Sequence, residues 1–186
     1  LELAAAEMRA GDENPALLPM LLAVARTAQP LGDVPTVEKN LTRYAQIAEA
    51  SGAADPDPWW LALEMLARME NLQEHPEEAL HWQRRAVEVL EQARRPTDAE
   101  RAAAKETLAH MELTVGEGEA AESLLVEVAA LRTADEGADA TADTMAQGAA
   151  VAYGAGEMET AERLATRALN ASVAERAGPG DVGPAG

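Results

Sequence analysis

The sequence predicts an all-α chain in which antiparallel helix pairs stack in a row, and three observations carry that prediction. A small residue returns in one helical setting, as Ala79 in PEEALHWQRRAVEVL, Ala121 in GEAAESLLVEVAAL and Ala161 in METAERLATRALNA, at intervals of 42 and 40 residues. Amphipathic stretches of helical period are punctuated by proline, glycine and capping residues at corresponding places. Strand-type alternation is absent throughout. A self-similar unit of this length marks a repeat in which no single copy buries its apolar face and each neighbour completes the core of the last.

The elements follow in order. Asn14 before Pro15 reads as an N-cap with a first-turn proline, so a helix is expected over 15–28, closed by Pro30. The next runs over 35–51 and ends at Gly52 and Pro56. Asp57 before Pro58 repeats the capping signature and opens a helix over 58–73, followed by one over 76–94 that stops before Pro96. Thr97 with Glu100 three residues on is a capping box for a helix over 98–114. Gly116 with Gly118 separates it from a helix over 118–133, and Gly154 with Gly156 separates 139–154 from 157–175. That makes four pairs, with a helical remnant at 2–10 and a disordered tail from Gly178.

The repeat extends well beyond its alanines. A 42-residue shift lays Leu66 on Leu108, Ala67 on Ala109, Met69 on Met111, Trp82 on Leu124 and Ala86 on Val128. A further 40 residues reach Gly148, Ala149, Val151, Leu164 and Ala168, so each column keeps its size or polarity class. Ala79, Trp82 and Ala86 recur at three and four residues and share one helical face, where small residues let two backbones approach. An ordinary alanine-rich bundle is the competing architecture. Trp82 is expected in the core, while Trp59 and Trp60 open a helix where one can pack on the preceding pair and the other anchor a partner.

Composition bounds the function. The chain has 186 residues, 33 acidic against 15 basic, and a formal charge of -18, which repels phosphate backbones and argues against DNA, RNA and anionic membranes. Its alanine-rich usage, with no Phe and only Lys39 and Lys105 as lysines, is that of a GC-rich, bacterial genome. The longest apolar run, Ala16 to Ala25, is broken by Pro19 and falls short of the about 20 residues a membrane span needs. With no cysteine, disulfides and thiolate chemistry are excluded. The chain opens at Leu1 without methionine or a signal-like segment, so an excised fragment of a cytoplasmic protein is expected, with any upstream export signal invisible. Charge is uneven: no basic residue falls between Arg132 and Arg163, whereas Arg84, Arg85, Arg94, Arg95, Arg101 and Lys105 crowd the middle. Such segments steer partners of opposite charge or simply form solvated helix faces.

Catalytic constellations find little support. His75 and His81 are six apart and do not share a helical face, and His110 stands in another repeat, so no metal triad is read and no cofactor is expected. Ser51, Ser123 and Ser172 lie outside any nucleophile elbow, and the glycines fall in turns or the tail rather than in a phosphate loop. The abundant carboxylates sit on amphipathic helices whose polar faces are solvated. An enzyme is not expected.

The phrases GEGEAAESLLVEV and GAGEMETAERLATRALN resemble the tetratricopeptide repeat (TPR) family: a Gly-rich turn, then an acidic and a small residue opening the second helix. The period is longer than usual and is similar to the 40–42-residue variety of kinesin light chains and bacterial signalling proteins. The resemblance covers 57–180 well and 12–52 loosely; Glu70 and Glu112 stand where the family prefers aromatics, and Glu38 where it prefers a small residue. It implies a right-handed α-α superhelix, a single array over 1–177 with pairs at 12–52 (degenerate), 57–96, 97–136 and 137–177. It further implies that the first helix of each pair lines a concave groove, which selects Glu64, Met65, Arg68 and Asn71, then Glu106, Thr107 and His110, then Gln147 and Tyr153. Glu64 and Glu106 oppose the carboxylate clamp of some relatives and favour an Arg- or Lys-bearing segment, with Met65 as an adaptable apolar contact. The expected function is a scaffold that binds a protein or peptide segment of basic character. The alternative is the sensor or regulatory part of a larger bacterial signalling or transcription protein. Self-association through exposed array ends is a further expectation.

Overall fold

The computed structural model describes residues 14–52, 55–136 and 139–177. The expected remnant at 2–10 and the tail from Gly178 lie outside the described residues. Eight α-helices and two single 3-10 turns form, with no strand among the described residues. The chain divides into two units, 1–96 and 97–186, each with its own apolar core.

The first unit holds helices α1 (Leu18–Ala28), α2 (Val34–Ser51), α3 (Pro56–Leu72) and α4 (Pro76–Leu90). Asn14 caps the entry as expected, its side chain accepting from the Ala16 amide at 2.9 Å, but Pro15–Leu17 winds as a 3-10 turn before α1 begins. α1 packs on α2, α2 on α3 and α3 on α4. Leu17, Leu21, Leu41, Tyr44, Leu63 and Leu66 fill the space between them. Burial pushes the Tyr44 phenol above its ordinary value, because the phenolate is costly there.

Two local expectations are corrected here. Asp57 does not cap α3; Asp55 does, accepting from the Asp57 amide at 3.3 Å, and Pro56 supplies the first helical position. Asp-Pro occurs twice in succession, and the upstream copy leaves the downstream one free to sit inside the helix. The Asp57 carboxylate instead accepts from the Arg94 amide at 3.4 Å, beyond the end of α4. α4 itself stops at Leu90 rather than 94, where Gln92 and Ala93 turn back on Val89 and Leu90 with three-residue bonds of 3.0 Å. Both tryptophans of α3 serve packing: Trp59 is buried, with the Arg85 guanidinium 5.0 Å above its ring, and Trp60 is half-buried against the same core. Trp82 is half-buried on that core, with His81 edge-on at 4.9 Å.

The second unit holds α5 (Asp98–Thr114), α6 (Gly118–Glu136), α7 (Asp139–Ala155) and α8 (Met158–Ala177). Thr97 and Glu100 make the capping box: the Glu100 amide donates to the Thr97 hydroxyl at 3.2 Å and the Glu100 carboxylate accepts from the Thr97 amide at 2.8 Å. Those bonds hold the Glu100 carboxyl below its usual range. Leu113, Ala121, Leu125 and Leu164 are fully buried, with Ala109, Met145 and Ala152 around them. Gly148 allows α7 to lie directly on α6, since a β-carbon there would collide with Leu125.

The recurrent alanines owe their place to one turn that the chain builds four times, with alanine in three copies and Val37 in the first. The amides of His75, Glu117 and Glu157 reach back five residues to Glu70, Glu112 and Ala152 at 2.9, 2.8 and 2.9 Å. Ala79, Ala121 and Ala161 then donate to the carbonyls of His75, Glu117 and Glu157 at 3.0, 3.1 and 2.9 Å, closing the first turn of each second helix. These alanines are buried where the two helices of a pair converge, so a larger side chain would push the pair apart. The residue that reverses the chain is left-handed in every copy: Gly32 at φ 68°, Glu74 at 62°, Gly116 at 84° and Gly156 at 86°.

Candidate functional site

The selected residues fall into two groups, one in each unit. On α3, the Glu64 carboxylate lies 3.1 Å from the guanidinium of Arg68, one turn on. The Glu64 side chain is only 15% exposed and that of Arg68 62%, so the arginine covers the acid. Met65 is half-buried against the core and Asn71 is exposed. The face thus offers the Arg68 charge and the Asn71 amide.

On α5, the structure adds two side chains that sequence reasoning missed. Arg132 of α6 grips Glu106 with both terminal nitrogens, at 2.8 and 2.7 Å, and also donates to the Thr144 hydroxyl of α7 at 3.4 Å. The side chains are 22% and 17% exposed, so this two-pronged pair is partly desolvated and fixes three helices to one another. The only hint in the sequence is that Arg132 is the last cation before a long acidic stretch. His110, one turn after Glu106, is half-buried, and its Nε2 has no hydrogen-bond partner among the described residues. Burial lowers its pKa; Glu106 pulls it back up and Arg132 adds to the lowering. His110 therefore stays neutral near pH 7. Thr107 turns its hydroxyl onto the Ala103 carbonyl of its own helix at 3.0 Å. Gln147 and Tyr153 are exposed on α7, Tyr153 at 69%.

Glu106 and His110 are thus brought together around Arg132, whereas Glu64 and Arg68 form a separate pair in the first unit. The departures from the family pattern are also accounted for in part: the Glu70 carboxylate lies 3.0 Å from His75 Nδ1, raising the histidine's pKa, and Glu112 is buried. The cation-rich middle of the chain is largely neutralised, with Arg85 on Glu49 and Glu88, Arg101 on Asp98 and Lys105 on Glu127. No cluster of three metal-ligating side chains occurs among the described residues, and no described helix is long and apolar enough to cross a membrane.

Antiparallel pairs joined by one repeated turn, with a buried alanine opening three of the four second helices, define the TPR-like helical repeat fold. Solved structures agree. The chain is similar to the nearly identical TPR-like repeats of a Podosopora anserina protein named as a kinesin light chain, at 19% identity and a TM-score of 0.66 over 95% of this chain and 84% of that one. It is also similar to BtubC (BKLC) from P. vanneervenii, at 18% identity and a TM-score of 0.64 over 99% of this chain and 76% of that one. No family model and no curated protein matches the sequence.

Proposed function

We propose that this chain is a protein-interaction scaffold that takes basic segments of a partner protein on the exposed faces of the first helices within each unit, α3 in the first and α5 and α7 in the second. The observation that carries the reading is the division of labour within each pair. The recurrent alanines and leucines complete the core, while the first helices keep Arg68, Asn71, Gln147 and Tyr153 turned to solvent. The excess of acidic residues, with a formal charge of -18, supplies long-range attraction for a cationic segment. Glu64 and Glu106 already hold arginines of the chain, so an incoming cation shares a carboxylate rather than meeting a bare one. Tyr153 offers the large amphipathic surface that interfaces favour.

The test is binding of an arginine-rich peptide and of its glutamate-for-arginine counterpart, read by fluorescence anisotropy at low and high salt. The arginine peptide should bind and should weaken as salt rises. Glu64→Lys and Gln147→Lys should each weaken it severalfold, with circular dichroism confirming that the helices persist. Equal binding of both peptides would remove the charge argument, and unchanged binding by both variants would remove these faces.

A further inference from the structure

Glu64 and Arg68 on α3 lie 42 residues before Glu106 and His110 on α5, so the same two places of the repeat twice hold a carboxylate and, one turn on, a nitrogen base. In the first copy the guanidinium lies 3.1 Å from the carboxylate and covers it. In the second the base is an imidazole, and whether it acts as a cation depends on a proton. His75 and His81 are exposed, whereas His110 is half-buried, and its buried Nε2 has no hydrogen-bond partner among the described residues. A neutral ring tolerates this: with its proton on Nδ1, the buried nitrogen is a lone pair that needs no acceptor. The imidazolium carries hydrogen on both nitrogens, and a buried N–H without an acceptor is costly. Glu106 is the carboxylate one turn away, already gripped by Arg132 of α6 at 2.8 and 2.7 Å. Glu106 and Arg132 are the charged groups that act on the ring, from its own helix and from α6, while α7 meets the cluster through the uncharged hydroxyl of Thr144. One carboxylate thus faces one cation while His110 is neutral, and two once it is protonated.

We propose that His110 is a proton-operated release for the basic segment held by the second unit: neutral, it leaves Glu106 free to share with an incoming cation, and protonated, it stands to Glu106 as Arg68 stands to Glu64 and repels that cation. This inference rests on the reading of the α5 and α7 faces as a site for a basic segment. A cation bound beside Glu106 favours the neutral ring, so binding is full above the histidine's pKa and is lost as pH falls through it. Burial and Arg132 place that value below the ordinary 6.5, so release belongs to mildly acidic conditions. The first unit has no such control, because Arg68 keeps its charge throughout this range.

The test compares capture of the arginine-rich peptide by the full chain at about pH 7.5 and about pH 5, at constant salt, each variant being measured against itself. Wild type should bind about fivefold more weakly at the lower pH, the effect of one added unit charge close to the bound cation. His110→Gln, which stays neutral, should lose most of that ratio, and His75→Gln, altered in the first unit, should keep it. Carboxylates that begin to protonate at the lower pH do so in every variant, so the difference between variants isolates the imidazole, and circular dichroism checks that the helices persist at both pH values. Nitrogen NMR of the Arg132 guanidinium in the chain alone reads the same event without peptide: its resonances should move with the His110 titration and hold still in His110→Gln. A guanidinium that ignores the titration, or a His110→Gln variant that weakens with acid as steeply as wild type, would overturn the proposal. Failure of the peptide to bind at the higher pH would instead overturn the scaffold reading, and the guanidinium would then decide the switch by itself.

Discussion

Glu74 is the only described non-glycine residue with positive φ, at 62°, and it stands where the two later repeats place Gly116 and Gly156. A side chain in the left-handed region costs about 1–2 kcal/mol, because the β-carbon crowds the following carbonyl. The turn nonetheless closes with the same backbone bonds in all four copies, so the tertiary packing holds Glu74 in place. Glu74→Gly should therefore stabilise the protein by about 1 kcal/mol in chemical denaturation, the relief of strain exceeding glycine's added unfolded-state entropy. The two perturbed histidines give opposite pH dependences. The pKa of His110 is lowered by burial, so the unfolded chain binds its proton more readily. Its stabilising contribution is full above the unfolded value near 6.5 and is lost as pH falls through the lower folded value. The pKa of His75 is raised by its bond to Glu70, so its small contribution is full below 6.5 and fades as pH rises through the folded value. Unfolding midpoints measured on either side of pH 6.5 should show His110→Leu flattening the acid-side loss. His75→Gln should leave that loss in place.

Helix packing in the second unit turns on α7, whose glycines differ in what they face. A β-carbon at Gly148 would collide with the buried Leu125 and lie 3.4 Å from Leu164, whereas Gly154 has nothing within 4 Å. Alanine is favoured over glycine in a helix by about 1 kcal/mol, and overpacking a filled core costs about 1–3 kcal/mol. Gly154→Ala should accordingly raise the thermal midpoint, while Gly148→Ala should lower stability by about 1 kcal/mol despite the same gain in propensity. The pair of variants separates the repeat's requirement for close approach from any general effect of glycine. The same helix carries Thr144 and, beyond it, the exposed Gln147 and Tyr153, so α7 joins the core on one side and offers side chains to solvent on the other.

The excess of 18 negative charges over the whole chain acts on stability as well as on partners. Exposed ion pairs such as Arg101 with Asp98 contribute about 0–1 kcal/mol each and weaken with salt. Self-repulsion among so many unpaired carboxylates opposes the folded state more broadly and is screened over the same range. Raising sodium chloride from low to physiological concentration should thus stabilise the fold by about 1 kcal/mol, a rise in midpoint of about 2–4 °C. A fall would mean that the internal pairs, above all Glu106 with Arg132, outweigh the repulsion. The same screening weakens capture of a basic peptide, so salt moves fold stability and peptide binding in opposite directions.

What the amino-acid order determined alone was local and periodic. Apolar spacing of 3.6 residues, the Thr97–Glu100 box and the Gly116 and Gly156 turns placed the helices, because each depends on neighbours within one or two turns. The recurrence of Ala79, Ala121 and Ala161 disclosed the repeat for the same reason, since one hydrogen-bonded turn is built four times and alanine fills it in three. Where two local signals competed, as Asp55 and Asp57 do before successive prolines, spacing could not choose, and the amide geometry did. The faces of the candidate site were only half legible. Periodicity put Glu106 and His110 on one side of α5, but Arg132 is 26 residues away and meets Glu106 only after α6 folds back on α5. Tertiary packing decided that the carboxylate is paired and that the imidazole is half-buried, with its pKa lowered. Burial and ion pairing depend on which helices touch, and no local pattern encodes that.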